Sequence, residues 1–295
     1  MQDVIDAHFH IWRQADLPWL NGPMVPRIFG PYEPIRRDYP IEEFLDDQKA
    51  SGVAKAVYVQ TNWAKERFED EVAWVQRTAE ETGWPHAIVG YADVTAEDVR
   101  PQLDRLKRYP LVRGVRMQLH WHEVPEYRFA PSPRQVIEPR VRANVARLKD
   151  YGFSFDLQLF PAQMRDGAEL VRENPETAFI LTHCGMLTDM AAETVAAWEE
   201  GLRILSELPN LFAKLSGLGT FVHRNDPELI AFVIGRAVEI FGSDRLMFGS
   251  NFPIEKLWTD HLTMMTAYRD ATASLSEADR QNIFRNTAQR VYRPV

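Results

Sequence analysis

The sequence predicts an α/β chain folded as a (β/α)8 TIM barrel with a long loop after its first strand. Three observations lead there. Eight short apolar runs alternate with helix-like segments along 295 residues. No Gly-x-Gly-x-x-Gly or phosphate-loop motif follows any strand, which disfavours the open doubly wound alternative. No linker-like composition divides the chain, so residues 1–295 read as one domain.

The elements follow in order. Val4-Ile-Asp-Ala-His-Phe-His10 is a short strand ending in two histidines at i, i+2. Residues 11–40 carry six prolines with Trp12, Trp19 and Tyr32, which forbids a regular helix and points to a lid or binding loop. A helix begins at Ile41 and stops before Gly52, and Lys55–Gln60 is the second strand. A helix over about 66–82 ends at Gly83, ahead of a strand at Ala87–Tyr91. Thr95 with Asp98 opens a helix running to Tyr109, where Pro110 stops it. Val112–Leu119 is the fourth strand, and a helix over 139–151 stops at Gly152. Strands at Phe153–Phe160, Ala178–Thr182, Leu211–Leu215 and Leu246–Gly249 complete the set. Between them lie helices over 162–173, 190–208 and 227–241, and two more over 259–273 and 277–292 close the chain.

Composition narrows the function classes. Hydrophobic content of 45% with 26% charged residues is ordinary for a globular protein with a real core. No window of about 18 apolar residues offers a membrane span, and the first residues do not resemble an export signal. A single cysteine, Cys184, rules out an internal disulfide and suits a reducing cytoplasm, where it reads as a small buried hydrophobe. A net charge of −8 argues against nucleic acid and anionic membranes as partners. A small-molecule partner remains, with homo-oligomerisation left open.

In such barrels the chemistry sits at the carboxyl ends of the strands. His8 and His10 lie there on the first strand, and Arg113, Arg116, Gln118, His120 and His122 on or just after the fourth. The later strands add Asp156, Gln158, His183, Lys214 and Asn251. Five of the eight histidines thus fall at one end of the barrel. Paired imidazoles on one strand face start either a divalent metal site or an acid–base pair. Arg116 offers bidentate recognition of a substrate carboxylate or else a structural ion pair, with Arg128 nearby. His120 and His122 offer a base or a substrate contact, and Asp156 a base or an orienting group. His86 and His261 read as structural.

His8-Phe-His10, Thr182-His-Cys-Gly185 and Phe248-Gly-Ser-Asn-Phe-Pro253 together resemble the amidohydrolase superfamily. Lys214-Leu-Ser-Gly217 and Phe284-Arg-Asn-Thr-Ala288 narrow the resemblance to the amidohydrolase-related branch, which includes sugar-lactone hydrolases and 2-pyrone-4,6-dicarboxylate lactonase. The resemblance implies that His8, His10 and His183 are ligands or catalytic histidines. Some members of the branch carry zinc and others work without metal, so either one divalent ion, zinc suiting three neutral imidazoles, or a metal-free site is implied. The family pattern places at the end of the eighth strand an Asp that takes a proton from the attacking water. Here that position is Asn251, and a carboxamide cannot be such a base, although it orients water or donates to an oxyanion.

The expectation is therefore a lactone-opening hydrolase acting on a small acidic or polyhydroxylated substrate. Its catalytic set is His8, His10, His183 and Asn251, and Arg116, His120, His122, Asp156 and Lys214 hold substrate. A lyase that decarboxylates an aromatic or muconate-type acid is the alternative, and a non-catalytic ligand-binding barrel the third.

Overall fold

A computed structural model describes residues 3–295. Among the described residues eight parallel strands form one sheet in chain order. They are β1 (Val4–Phe9), β2 (Val53–Val59), β3 (Ala87–Tyr91), β4 (Val112–Arg116), β5 (Ser154–Leu157), β6 (Phe179–Leu181), β7 (Leu211–Leu215) and β8 (Leu246–Phe248). The seam between β8 and β1 is closed by backbone bonds just past the strands, from Asn251 N–H to the His8 carbonyl (2.7 Å) and from His10 N–H to the Phe252 carbonyl (2.8 Å). This is the (β/α)8 barrel expected from the alternating pattern.

Two apolar cores hold it together. The larger lies between the strands and the surrounding helices, and it receives Phe9, Phe155, Phe179 and Phe248. The smaller fills the barrel interior with Ile5, Ala7, Val57, Val59, Val89, Ile180 and Met247. Val291 and Tyr292, from the helix Thr287–Tyr292, join this interior group. Alternation along the strands assigns the layers, as it must for side chains of period two.

β1 breaks that alternation where it matters. Ile5 and Ala7 belong to the interior, yet the rings of His8, His10 and His183 also meet there. The pairing of β1 with β2 shifts register between Asp6 and Phe9, and the Asp6 carboxylate accepts the His8 amide at 3.0 Å. The kink turns His8 inward beside His10.

Several boundaries differ from the sequence reading. The helix expected from Thr95 starts at Arg100, because the Thr95 hydroxyl bonds Asp93 rather than capping a helix. The helix over 139–151 is two pieces, Pro139–Val145 and Leu148–Tyr151, and the last one over 277–292 is interrupted by a π-type turn at Asn282–Asn286. Strands β4, β5 and β6 are shorter than their apolar runs, so the residues beyond them belong to loops. The proline-rich stretch contains a turn of α-helix after all, at Pro18–Asn21, with proline at its start where no amide is lost, and 3-10 turns at Gln14–Asp16 and Glu33–Ile35. An antiparallel bridge from Trp12 to Tyr39 pins both ends of that stretch, and Trp12, Tyr32 and Tyr39 are buried in the outer core.

Candidate active site

A cavity of about 260 Å³ opens at the carboxyl ends of the strands. His10, Arg116, His120, His183 and Asn251 line it, together with Gln60, Gln118 and Gln158. The proline-rich stretch forms one wall through Trp12, Trp19 and Phe29, and Phe221 and Phe129 stand in the others. The indole N–H of Trp19 donates to the Thr61 carbonyl (2.9 Å), tying this wall to the end of β2.

Three histidines converge below the opening. Ring centroids lie 5.0 Å apart for His8 and His10, and 4.9 Å for His8 and His183. His10 Nδ1–H donates to the Val59 carbonyl at 2.7 Å, which fixes the tautomer and leaves Nε2 with its lone pair. His183 Nδ1 pairs with the Ser216 hydroxyl at 2.9 Å. His183 sits at φ +54°, a strained backbone for a residue with a Cβ, and Gly217 makes room for its ring: a methyl at 217 would come 2.6 Å from His183 Nδ1. Both ring nitrogens of the fully buried His8 lack a hydrogen-bond partner among the described residues. Burial keeps all three neutral. It lowers His8 and His183 well below the usual histidine range and His10 to about 3, with the charges of Arg116 and Lys214 adding to the effect.

Arg116 is the cation of the cavity. It is 4% exposed, its Nη2 donates to the Gln60 carbonyl at 2.6 Å, and its Nε has no partner among the described residues. Burial lowers it to about 10, although Asp156 and Glu71 act in the opposite sense from a distance. None of the ion pairs among the described residues includes it. His120, also buried, is lowered to about 3 by burial and then by Arg116.

Other expected residues fall elsewhere. Asp156 and Lys214 do not line the cavity. Both are wholly buried and form an ion pair of 2.6 Å, and the Tyr292 hydroxyl donates to the other Asp156 oxygen at 2.6 Å. Their charges are satisfied by each other, which leaves neither free for a substrate. His122 also lies off the cavity, packed on Tyr127 and Phe160, with Nδ1 accepting the Val124 amide (3.1 Å). Arg113 is at the opposite end of β4, donating to the Pro110 and Val112 carbonyls. Arg128 does reach the rim, where its guanidinium lies 5.1 Å from the Trp121 ring. Burial raises the Cys184 thiol to about 12, in keeping with an inert apolar side chain.

Sequence reasoning missed Glu255, a buried carboxyl raised to about 7 by burial and partly offset by the side chains of Trp258 and Asn251 and the Gly219 amide. Its proximity in sequence to Asn251 was the available signal. The aromatic wall was visible only as tryptophans in a loop.

A barrel with paired histidines at the end of β1, a third after β6 and a polar side chain after β8 is the arrangement of a hydrolase of the amidohydrolase type. The sequence matches the family described as Amidohydrolase over residues 5–293, and the chain belongs to that family, in its lactonase-like branch. It is similar to the uncharacterized protein y4mH of Sinorhizobium fredii, at 35% identity over 98% of both chains. An L-fucono-1,5-lactonase of Burkholderia multivorans is 27% identical over 98% of this chain and 95% of its own. A crystal structure of a Burkholderia multivorans amidohydrolase with bound zinc superposes with a TM-score of 0.82 at 26% identity, covering 99% of this chain and all of that one. Among the described residues no helix is long and apolar enough to cross a membrane.

A family with a zinc-bound member raises the question of a metal here. Among the described residues no group of three or more His, Cys, Asp or Glu side chains is disposed to hold one. Arg116 and Lys214 act on the histidines as cations, and position 251 offers a neutral amide. Two of the three imidazoles spend Nδ1 on protein partners, which leaves them only Nε2 to offer. As they stand, these residues do not fit a divalent ion.

Proposed function

We propose that this protein opens a lactone or related cyclic ester of a small acidic or polyhydroxylated substrate, releasing the hydroxy acid. The observation that carries the reading is Arg116, a buried guanidinium facing the cavity with one carbonyl partner and no carboxylate. A substrate carboxylate completes it, as bidentate acid recognition by arginine does elsewhere. The similarity to an L-fucono-1,5-lactonase supports the ester chemistry.

In this reading the ring carbonyl lies between Arg116 and the histidines. The neutral imidazoles of His10 and His183, each fixed at Nδ1, present Nε2 to the attacking water and take its proton. Water adds to the carbonyl carbon, the tetrahedral intermediate collapses, and the ring oxygen leaves with the proton as a hydroxyl. Burial depresses His10, His120 and His183 most and Arg116 adds to it, so an anion docked on Arg116 relieves that second part as the substrate binds. The aromatic wall of Trp12, Trp19 and Phe29 excludes bulk water. His8 sits under the pair and packs them. No step needs a metal.

The test is a panel of carboxylated pyrones and other acidic lactones, with L-fucono-1,5-lactone as the neutral comparison, run beside aromatic and muconate-type acids. Ring opening without carbon dioxide release supports the hydrolase. Carbon dioxide release from the acids identifies a lyase instead, and saturable binding without turnover identifies a ligand-binding barrel.

A further inference from the structure

Arg116 is not the only polar group of the cavity left without an answer. Three glutamines of its wall stand just past strand ends: Gln60 directly after β2, Gln158 directly after β5, and Gln118 two residues after β4. Gln60 is fully buried and Gln158 is 4% exposed. A carboxamide so placed costs free energy for each end it leaves unpaired, so an unpaired end in a cavity wall points to a ligand group that meets it.

Which end is left over follows from the partner of the other. Gln60 Oε1 accepts the Asn62 amide N–H at 2.7 Å. A backbone N–H only donates, so the oxygen must face it. Gln60 Nε2, a pure donor, is then the end without a partner among the described residues. Gln158 is the reverse case. Its Nε2 donates to the Met186 sulfur at 3.3 Å, and a thioether only accepts, so Oε1 is the end left over. Gln118 Oε1 likewise closes no hydrogen bond among the described residues.

These groups sort by what they demand. Arg116 Nη2 donates to the backbone carbonyl of Gln60 itself, which makes the two residues neighbours, and Arg116 Nε is unpaired. Donors from adjoining residues, one of them charged, suit a carboxylate. Gln118 and Gln158 offer oxygen, which a carboxylate or a ring carbonyl cannot satisfy and a hydroxyl can. A neutral sugar lactone therefore leaves the donors unmet, and a carboxylated pyrone without hydroxyls leaves the acceptors unmet.

We propose that Gln60 and Gln158 determine specificity, and that the substrate carries both a free carboxylate, held by Arg116 and Gln60, and a free hydroxyl donated to Gln158. In chemical class it is the monolactone of a hydroxylated diacid. The ring opening rests on the hydrolase reading above, whereas the pattern of donors and acceptors governs binding alone.

The first measurement is turnover of three kinds of probe. The monolactones of glucaric, galactaric and mannaric acid have both groups, aldonolactones of the same configurations lack the carboxylate, and γ-carboxy-γ-butyrolactone lacks the hydroxyls. The wild type should favour its best diacid monolactone by at least about tenfold in kcat/KM, since one unmet buried group is worth roughly 10- to 100-fold. Gln158→Met should shrink the preference over the carboxybutyrolactone about tenfold or more, and Gln60→Met the preference over the aldonolactone. A fall shared equally by all probes is what damaged packing gives and overturns the proposal. So does a wild type that turns over an incomplete probe or a carboxylated pyrone at least as fast. If Gln60→Met does not fold, Gln60→Glu keeps an oxygen on the Asn62 amide and sets an acceptor where the donor stood, and an undiminished preference there overturns the proposal. The second measurement needs neither turnover nor a variant. In calorimetric titration the best-bound of the open-chain diacids glucarate, galactarate and mannarate should bind at least about tenfold tighter than adipate, the same chain without hydroxyls. Binding no tighter than that of adipate overturns the proposal. Inactivity on every lactone with that preference intact defeats the hydrolase reading alone and leaves the recognition standing.

Discussion

The Asn251 amide nitrogen donates to the His8 carbonyl at 2.7 Å, so the two ends of the candidate site are stitched together through their backbones. Gly249 is what allows the approach, because a methyl there would come 2.7 Å from His8 Cβ. Gly249→Ala should therefore part the seam. We expect a loss of about 1–3 kcal/mol in chemical denaturation, the usual cost of overpacking, together with reduced kcat. Unchanged stability and turnover would show that the seam tolerates the extra atom and does not set the geometry of His8.

Arg116 has a carbonyl and no carboxylate for company, in keeping with the substrate role proposed for it. Arg116→Met should weaken kcat/KM by roughly 2–4 kcal/mol on an acidic lactone, the cost of losing a buried charged contact, and much less on a neutral lactone of similar size. Equal effects on both substrates would return Arg116 to a structural role.

The Asp156–Lys214 pair makes the opposite prediction. Asp156→Leu alone leaves the Lys214 ammonium bare in the barrel and should destabilise by roughly 3–5 kcal/mol. Replacing both, as Asp156→Leu with Lys214→Met, should recover most of that loss. Thermal unfolding of the three variants decides it, and a double variant as unstable as the single one would show that Tyr292 or a neighbouring charge depends on the pair.

His120 gives stability a pH dependence of known sign. Burial holds it at about 3 in the folded chain, against about 6.5 when unfolded. The folded state therefore binds fewer protons, and the contribution is intact above 6.5 and lost as pH falls toward 3. Between pH 7 and 5 this amounts to roughly 2 kcal/mol for one histidine. His120→Gln should lessen the acid-induced fall in stability by that amount, measured by urea denaturation at the two pH values. A variant that loses stability as steeply as the wild type would place the proton uptake on other groups.

The donor set around His8, His10 and His183 yields a prediction about metal. Overnight dialysis against a chelator should leave lactone hydrolysis within about twofold, and added zinc should not raise the melting temperature, since a ligand that binds only the folded state must raise it. Activity lost on chelation and regained with zinc would show that the histidines rearrange to accept an ion.

Much of the fold was legible because fully buried parallel strands read as short apolar runs and helices end on glycine or proline. What was lost lay where period-two reasoning stops. Beyond the end of β4 at Arg116 the chain is no longer extended, so His120 faces the cavity while His122 does not, despite their even spacing. Arg113 and Arg116 share a strand, but polarity along it, rather than face, separates them, and Arg113 lies at the wrong end. Lys214 and Asp156 read in the sequence as substrate-holding residues at the strand ends, because their mutual pairing spans 58 residues and no local pattern encodes it. Glu255 escaped because a lone acid after a strand looks like any solvated turn until burial is known.

That same pairing has a consequence for how the protein is made. Asp156 is synthesised 58 residues before Lys214 and 136 before Tyr292, the two groups that satisfy it. A nascent chain holding only β1 to β5 would have to bury a bare carboxylate to close on itself, at a cost of several kcal/mol. The charge thus bars early collapse of a half-barrel, and the interior dries only once the strand bearing Lys214 has left the ribosome and taken its place.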